Sequence, residues 1–316
     1  MAEAAGSLGE SLEVGQKKRL PFYVDVLRRL IKEKPLGLVG LIIVVVFLVL
    51  AAIGPFITPY DAGERGAGER MAGPTSSNWF GTDTLTRDVF SRVVEGARVS
   101  VVIGGLAVLF ATVLSLATGL FSGYFGGWVD MLFQRLVDAF LAFPAIVFLI
   151  AMAAVFQEVD IPFLPVDGMW QTTNVMFAIT LGILFGIGQS RVIRSAVFSV
   201  KAQAYMEAAR STGATHMRMM TKHVMPNVMA PLITLATLNI GNAILIEATL
   251  SFLGLGAPPD LVTWGNMINQ ARTNLGQNAW WLAVFPGAAL SLVVFAFNML
   301  GDALRDLLDP RLRTST

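Results

Sequence analysis

Long uncharged stretches alternate with short polar segments along this chain. At about 1.5 Å of rise per residue, a stretch of roughly 20 residues crosses about 30 Å of hydrocarbon as a helix. Six stretches approach or exceed that length: residues 36–54, 99–129, 139–157, 168–190, 224–246 and 273–301. The pattern predicts an all-α, polytopic membrane protein with six transmembrane helices. The even number of spans places both termini on the same side of the membrane.

The composition supports a membrane location and excludes several kinds of chemistry. The 316 residues are 54% hydrophobic and 14% charged, with a mean hydropathy of +0.64, whereas soluble domains average about 25% charged residues. The chain has no cysteine, which excludes disulfides, thiolate catalysis and cysteine-ligated metals. Because the net charge is only +1, no nucleic-acid partner is expected.

Basic residues are unevenly distributed among the segments that connect the spans. Seven lysines and arginines precede the first span, six lie in residues 191–228 and three follow the last span, against six on the opposite side. The positive-inside rule therefore predicts that both termini and segment 191–228 are cytoplasmic. No short apolar core with a small-residue cleavage site precedes residue 36, so the first span is expected to remain as an anchor.

Two polar segments on the other side predict short helices. Apolar residues within 89–97 share one helical face, and Asp88 and Arg92 can pair at i,i+4, which predicts a helix lying at the outer interface. Residues 264–271 repeat this spacing and predict a second interfacial helix, anchored by Trp264.

The second and third spans carry signals of packing and bending. Pro144 is expected to kink the third span, and Arg135 and Asp138 at its start are expected to pair. Small residues recur every fourth position in the second span, which predicts close packing against another helix, in this chain or another. They are Ala107, Ala111, Ser115, Gly119 and Gly123.

Residues 191–228 carry a dense set of charges between the fourth and fifth spans. Residues 195–210 are good helix formers with several small side chains, which would let another protein approach the backbone closely. Gly213 is expected to end or bend this helix, because glycine adopts left-handed conformations freely. Pro226 fits the first turn of the next helix, where its missing N–H costs nothing. The pattern predicts two short helices with a joint between them.

The centre of this segment has Glu-Ala-Ala at 207–209, Gly213 after three residues and Pro226 thirteen positions later, within His-Val-Met-Pro-Asn at 223–227. It resembles the coupling loop of the membrane subunits of ATP-binding-cassette (ABC) importers. In that family the loop's short helix lies in a groove on a separate ATPase subunit and transmits its opening and closing. An ordinary cytoplasmic loop with alanine-rich helices is the alternative. The resemblance implies that the ATPase-coupling residues are Glu207, Ala208, Ala209, Gly213, Ala214 and Pro226.

Three further segments resemble one branch of these importers, the dipeptide, oligopeptide and nickel permeases, and in particular their C-type subunit. Residues 80–98 resemble a Gly-Thr-Asp to Gly-Ala-Arg signature, residues 251–265 a Ser-Phe-Leu-Gly-Leu-Gly to Trp-Gly element, and residues 296–311 the closing segment. Thr86 stands where the branch usually has glycine. If that glycine serves a turn with positive φ, the local turn is expected to differ here.

The resemblance implies the type I ABC importer permease fold. It divides the chain into a cytoplasmic N-terminal segment (1–35), a first transmembrane helix (36–54), an extracytoplasmic segment with an interfacial helix (55–97), a core permease domain with five transmembrane helices and the coupling loop (98–301), and a cytoplasmic C-terminal tail (302–316). It also implies a multi-pass protein of the inner, or plasma, membrane.

The same resemblance implies a non-catalytic subunit that forms half of a path for dipeptides or oligopeptides. Its expected partners are a homologous permease in a heterodimer, two ABC ATPase subunits, an extracytoplasmic substrate-binding protein and the lipid bilayer. The chain itself would bind no cofactor, and ATP and magnesium would bind to the partner ATPases.

The sequence lacks the parts that other mechanisms need. An ATPase cradles phosphates with a G-x-x-x-x-G-K-[ST] loop, but no Gly-Lys pair occurs here, so ATP must bind to another polypeptide. The two histidines, His216 and His223, have no nearby cysteine or well-placed carboxylate and make a poor metal site. A membrane-embedded hydrolase is disfavoured, because no G-x-S-x-G nucleophile elbow is present.

Few polar residues lie in or beside the apolar spans. A carboxylate at the middle of a membrane costs about 2.5–3.5 kcal/mol on insertion scales, so such residues tend to face water or a partner. We hypothesise that Asn239, Asn242 and Glu247 line the translocation path, and helix-to-helix hydrogen bonding is the alternative.

A stand-alone secondary transporter or channel is the rival function. Such proteins usually have internal repeats with interrupted helices and buried ligands for a coupling ion. No repeat is evident between residues 36–157 and 168–301, and ionisable groups within the spans are few. The sequence therefore favours an importer subunit over a self-contained transporter.

Overall fold

A computed structural model describes residues 22–156, 170, 172–258 and 261–308. The basic residues before position 22, the predicted span ends at 157 and 168, and the tail from residue 309 lie outside the described residues. The described chain is built of helices joined by turns, with an isolated β-bridge between Thr82 and Asp88.

The helices follow one another from the first described residue to the last. They are α1 (Phe22–Glu33), α2 (Pro35–Ile57), α3 (Val89–Phe125), α4 (Gly127–Leu141), α5 (Ala145–Phe156), α6 (Thr172–Lys201), α7 (Ala204–Ser211), α8 (His216–Arg218), α9 (Met225–Phe252), α10 (Trp264–Arg272) and α11 (Trp281–Leu308). A π-helical turn, Met219–Val224, joins α8 to α9, and a 3₁₀ turn, Leu275–Gln277, precedes α11.

Among the described residues, five helical stretches are long and apolar enough to cross a membrane: α2, α3, α6, the run from α8 to α9, and α11. Helices α4 and α5 qualify only as a pair, which is bent by 82°. The six predicted spans thus correspond to five continuous helices and one bent pair. The bend lies where Pro144 disfavours a helical conformation for the residue before it, as the sequence predicted.

Helix α3 begins earlier than the predicted second span. Asp88 caps it by accepting hydrogen bonds from Ser91 N and Ser91 Oγ, both at 2.8 Å, and no proline follows until Pro144. The helix expected to lie separately over residues 89–97 is therefore the first two turns of α3. Asp88 and Arg92 could pair by their spacing, but Arg92 instead lies 3.8 Å from the Asp83 carboxylate and donates to the Ala62 carbonyl oxygen at 3.1 Å.

The small residues of α3 form a close seam with α6. A Cβ added to Gly119 would lie 2.7 Å from the Ser190 carbonyl oxygen, and one added to Gly186 would lie 3.0 Å from the Ala111 carbonyl oxygen. Each helix thus presents a glycine to the backbone of the other. The predicted close packing is confirmed, and the partner helix belongs to the same chain.

Close approaches also join the other spans into one bundle. A Cβ on Gly40 of α2 would lie 2.7 Å from the Ala296 carbonyl oxygen of α11, and one on Gly301 of α11 would lie 2.5 Å from Leu238 Cδ2 of α9. In a membrane, where lipid removes the hydrophobic drive between helices, such close van der Waals packing is a main source of packing energy.

Helix α10 forms as predicted, but Trp264 does not anchor it at an interface. The Trp264 side chain is 0% exposed and donates from Nε1 to the Val93 carbonyl oxygen at 2.9 Å. Gly96 leaves room for the ring, since a Cβ there would lie 2.9 Å from Trp264 Cδ1. The tryptophan is a core residue that fastens α10 to the first turns of α3.

Thr86 adopts the left-handed conformation itself, with φ +62°. The expectation that a residue other than glycine changes this turn is wrong. Thr86 Oγ1 accepts a hydrogen bond from Gly66 N at 2.7 Å, and the Thr86 carbonyl oxygen accepts one from Ala67 N at 3.0 Å. These bonds offset the cost of about 1–2 kcal/mol that a side chain pays in this region.

Candidate coupling site

Helix α7 is separated from both neighbouring helices by short non-helical joints. Helix α6 ends at Lys201, Gln203 is extended (φ −82°, ψ 140°) at the N-cap position of α7, and Gly213 follows α7 with φ +79°. The predicted bend at Gly213 is confirmed. The prediction of one helix over residues 195–210 is wrong, because the chain turns at 202–203 although neither residue is a breaker.

One buried side chain holds α7 to the bundle. Met206 is 3% exposed and belongs to an apolar cluster with Val197 of α6 and Val224 of the π turn. Of the coupling residues predicted from sequence, Glu207, Ala208, Gly213 and Pro226 are exposed, whereas Ala209 and Ala214 are half-buried. The exposed surface of α7 therefore combines small side chains with one carboxylate, Glu207, one guanidinium, Arg210, and the Tyr205 ring.

The chain returns to the membrane through a continuous helical run that contains Pro226. Met225 N donates to the Met220 carbonyl oxygen, five residues earlier, in the π turn. Proline lacks an N–H and its ring crowds the carbonyl four residues before it, and a wider turn next to it relieves that crowding. Pro226 lies in the first turn of α9, as predicted.

Several charges of segment 191–228 are bound into the fold rather than free. Arg194 donates from Nε to Asp130 Oδ1 at 2.5 Å and pairs through a second guanidinium nitrogen with Oδ2. Such two-point pairing fixes both side chains in orientation. Arg191 pairs with Asp138. The predicted pairing of Asp138 with Arg135 is therefore wrong.

Lys201 is a site residue that the sequence analysis missed. Its Nζ donates to the carbonyl oxygens of Gly123 at 3.2 Å and Tyr124 at 2.5 Å. These are among the last carbonyls of α3, and a cation at the C-terminus of a helix satisfies them and complements the helix dipole. The sequence contains each partner, but nothing in it relates positions so far apart.

The three residues assigned to the path by sequence occupy different environments in α9. Asn242 is exposed. Asn239 is half-buried, and its amide nitrogen has no hydrogen-bond partner within the described chain. Glu247 is 0% exposed and accepts hydrogen bonds from Ser251 Oγ at 2.8 Å and Ser100 Oγ at 3.5 Å.

The described residues hold no group of three or more histidine, aspartate or glutamate side chains placed to bind a metal ion. His216 instead contacts Tyr124, and His223 lies near Tyr205 with ring centroids 6.4 Å apart.

Comparison with known proteins decides the family. Residues 115–314 match the family described as the inner membrane component of binding-protein-dependent transport systems, which is more than half of the chain. The chain belongs to this family. Residues 22–74 of the permease also match the N-terminal transmembrane domain of oligopeptide transport permease C.

Relatives of the permease extend over most of its length. It is 40% identical over 284 residues to the dipeptide transport system permease protein DppC of Alkalihalophilus pseudofirmus, covering 90% of this chain and 88% of the relative. It is 36% identical over 289 residues to the glutathione transport system permease protein GsiD of Pectobacterium atrosepticum, covering 91% and 90%. It is 34% identical over 298 residues to DppC of Bacillus subtilis, covering 94% and 88%.

These relations confirm the resemblance drawn from the motifs. The protein is a membrane-spanning permease subunit of an ABC importer in the peptide and nickel branch, and a multi-pass protein of the inner membrane. Subunits of this family are non-catalytic, because hydrolysis takes place on separate ATPase chains. A stand-alone transporter or channel is not favoured.

Proposed function

We propose that α7 couples this permease to a separate ABC ATPase subunit, with Glu207, Ala208, Ala209, Gly213, Ala214 and Pro226 as the coupling residues. The proposal rests on the way in which α7 is attached to the helix bundle. The helix is fixed to the bundle by buried Met206, while Glu207 and Ala208 are exposed on it. A groove on a partner can therefore receive the exposed side without disturbing the core.

A cross-linking experiment tests this docking, and the absence of natural cysteines makes it clean. A cysteine replacing Ala208 in the assembled transporter should cross-link to the ATPase subunit through a short reagent that joins its thiol to an amine of the ATPase. A cysteine replacing Glu69, which is exposed in the segment before α3, should not. Failure of the Ala208 position to capture the ATPase, in a complex that hydrolyses ATP, contradicts the proposal.

The remaining subunits follow from the same proposal. A homologous permease completes the path as a heterodimer, two ATPases hold ATP and magnesium, and an extracytoplasmic binding protein delivers the substrate. Residues 1–35, 191–228 and 302–316 face the cytoplasm, residues 55–97 face outward, and residues 98–301 form the core domain. Closure of the ATPases around ATP pushes α7 and changes the spans from inward-open to outward-open.

Peptides are the substrate class that we propose. The relatives are named for dipeptide and for glutathione transport, and both substrates are short peptides. Uptake of an alanine dipeptide and of glutathione by vesicles containing the assembled transporter separates the two, and binding measurements on the partner binding protein identify the preferred ligand. Uptake of neither contradicts the class.

For the translocation path we propose Asn239 and Asn242, with Glu247 contributing only if α3 separates from α9 during transport. Asn242 is exposed, so a cysteine at this position should react with a membrane-impermeant thiol reagent in at least one transport state. A cysteine at the adjacent Ala243, which is fully buried, should stay unreactive and serves as the control. Protection of Asn242→Cys in every state contradicts the path assignment.

A further inference from the structure

Both ends of the segment that contains α7 are attached to one residue at the end of α3. Lys201, the last residue of α6, donates from Nζ to the Tyr124 carbonyl oxygen at 2.5 Å. His216, the first residue of α8, lies with Nδ1 2.9 Å from the Tyr124 hydroxyl. Residues 202–215, which lie between these two anchor residues, are therefore attached to Tyr124 at both ends.

Tyr124 is itself held firmly. Its side chain is 6% exposed and belongs to the same apolar cluster as Met206. Its ring lies edge to face with that of His216, with centroids 5.7 Å apart, and the Lys201 ammonium lies 5.6 Å from the ring centroid. A side chain fixed on several sides has little rotamer freedom with which to absorb a displacement of its partners.

The hydrogen bonds at Tyr124 join the α7 segment to a different helix from the other hydrogen bond that holds α7. Met206 is held by apolar packing, which is non-directional. Tyr205 accepts a hydrogen bond from Asn227 Nδ2 at 3.2 Å, which connects α7 to α9. The hydrogen bonds at Tyr124 are directional and connect the two ends of the α7 segment to α3.

We propose that Tyr124 is a positioning residue of the transport cycle, which transmits the displacement of α7 to α3. It does so by holding Lys201 through its carbonyl oxygen and His216 through its hydroxyl. This inference rests on the proposed coupling role of α7. When an ATPase displaces α7, both anchors move, and the end of α3 moves with them.

The Tyr124→Phe substitution tests this role, because it removes the hydroxyl and keeps the ring. The experiment uses the complete transporter in vesicles, with an alanine dipeptide and glutathione as probe substrates. The ATPase subunits should remain bound, while the number of substrate molecules transported per ATP hydrolysed falls by roughly threefold to tenfold, the factor that one hydrogen bond represents. Tyr60→Phe, near the opposite end of α3, should leave this ratio unchanged.

Variants of His216 show whether the effect comes from the bond. His216→Leu should lower the ratio as Tyr124→Phe does, and the double variant should be no worse than either single one, since both remove the same interaction. His216→Gln keeps hydrogen-bonding groups on a side chain of similar reach and should retain a ratio near that of the parent protein.

Three results would overturn the inference. They are an unchanged ratio in Tyr124→Phe and His216→Leu, additive losses in the double variant, or a lower amount of assembled transporter whose ratio is normal. The last result would mean that Tyr124 has a purely structural role. If the ATPase subunits do not bind the α7 segment of the unsubstituted permease, the proposed coupling role of α7 fails. If they bind it and Tyr124→Phe transports normally, only the role of Tyr124 fails.

Discussion

Reversing one charge on α7, by Glu207→Lys, should abolish substrate-stimulated ATP hydrolysis while leaving the permease inserted in the membrane. Glu207 is exposed in the first turn of α7, so a lysine there changes the surface offered to the ATPase. The substitution also places a cation at the N-terminal end of a helix, which costs about 0.3–1 kcal/mol. That cost is too small to unfold a helix pinned by Met206.

The measurement is ATP hydrolysis by the reconstituted transporter with and without loaded binding protein. Hydrolysis by the Glu207→Lys variant should stay at its basal rate in both conditions. Glu69→Lys reverses an exposed charge far from α7 along the chain and should respond normally. Normal stimulation of the Glu207→Lys variant would reject the coupling role of α7.

Gly213→Pro should cause the same loss through the backbone. Gly213 has φ +79°, whereas proline is restricted to a φ of about −65°, so the joint after α7 cannot keep its shape. Gly213→Asn is the matched control, because asparagine tolerates the left-handed region, and it should retain most of the stimulation. Equal stimulation of the proline and asparagine variants would contradict the importance of this joint.

Gly119→Val should prevent stable packing of α3 against α6. Overpacking a core typically costs about 1–3 kcal/mol, and here the new side chain would meet the Ser190 backbone, which cannot change rotamer. We expect the free energy of unfolding to fall by about 3 kcal/mol or more. This should be seen as a lower melting temperature and a poor yield of monodisperse protein in detergent.

Gly188→Val is the control for this prediction, because Gly188 lies on α6 and a Cβ added there meets nothing within 4 Å. It should melt near the parent protein. If both valine variants melt alike, the seam between α3 and α6 does not contribute as described.

The hydropathy pattern predicted which parts of the chain form spans, because lipid requires long apolar helices whatever their partners. It did not give the ends of the helices. Helix α6 continues past residue 190, where the apolar stretch ends, to Lys201, and Arg194 within this extension pairs with Asp130. That pair is 64 residues apart in sequence, and local hydropathy carries no sign of it.

Within the candidate coupling site, the backbone positions of Gly213 and Pro226 were predictable, because glycine alone lacks a side chain and proline alone lacks a backbone N–H. The joint at 202–203 was not, since it contains neither glycine nor proline and depends on where Lys201 finds its carbonyl partners. Trp264 was misplaced for a related reason. A tryptophan in a polar segment suits a membrane interface. Trp264 becomes a core residue because Gly96 has no side chain and leaves space for its ring.

The glycine seam between α3 and α6 has a mechanical consequence. Where two helix backbones are in contact with no side chain between them, a change of rotamer cannot accommodate a displacement of one helix relative to the other. The two helices are therefore expected to move as one rigid unit. A change in the orientation of the helices during transport must then occur at flexible positions elsewhere in the chain. We expect the corner at Pro144, bent by 82°, and the π turn before Pro226 to act as hinges.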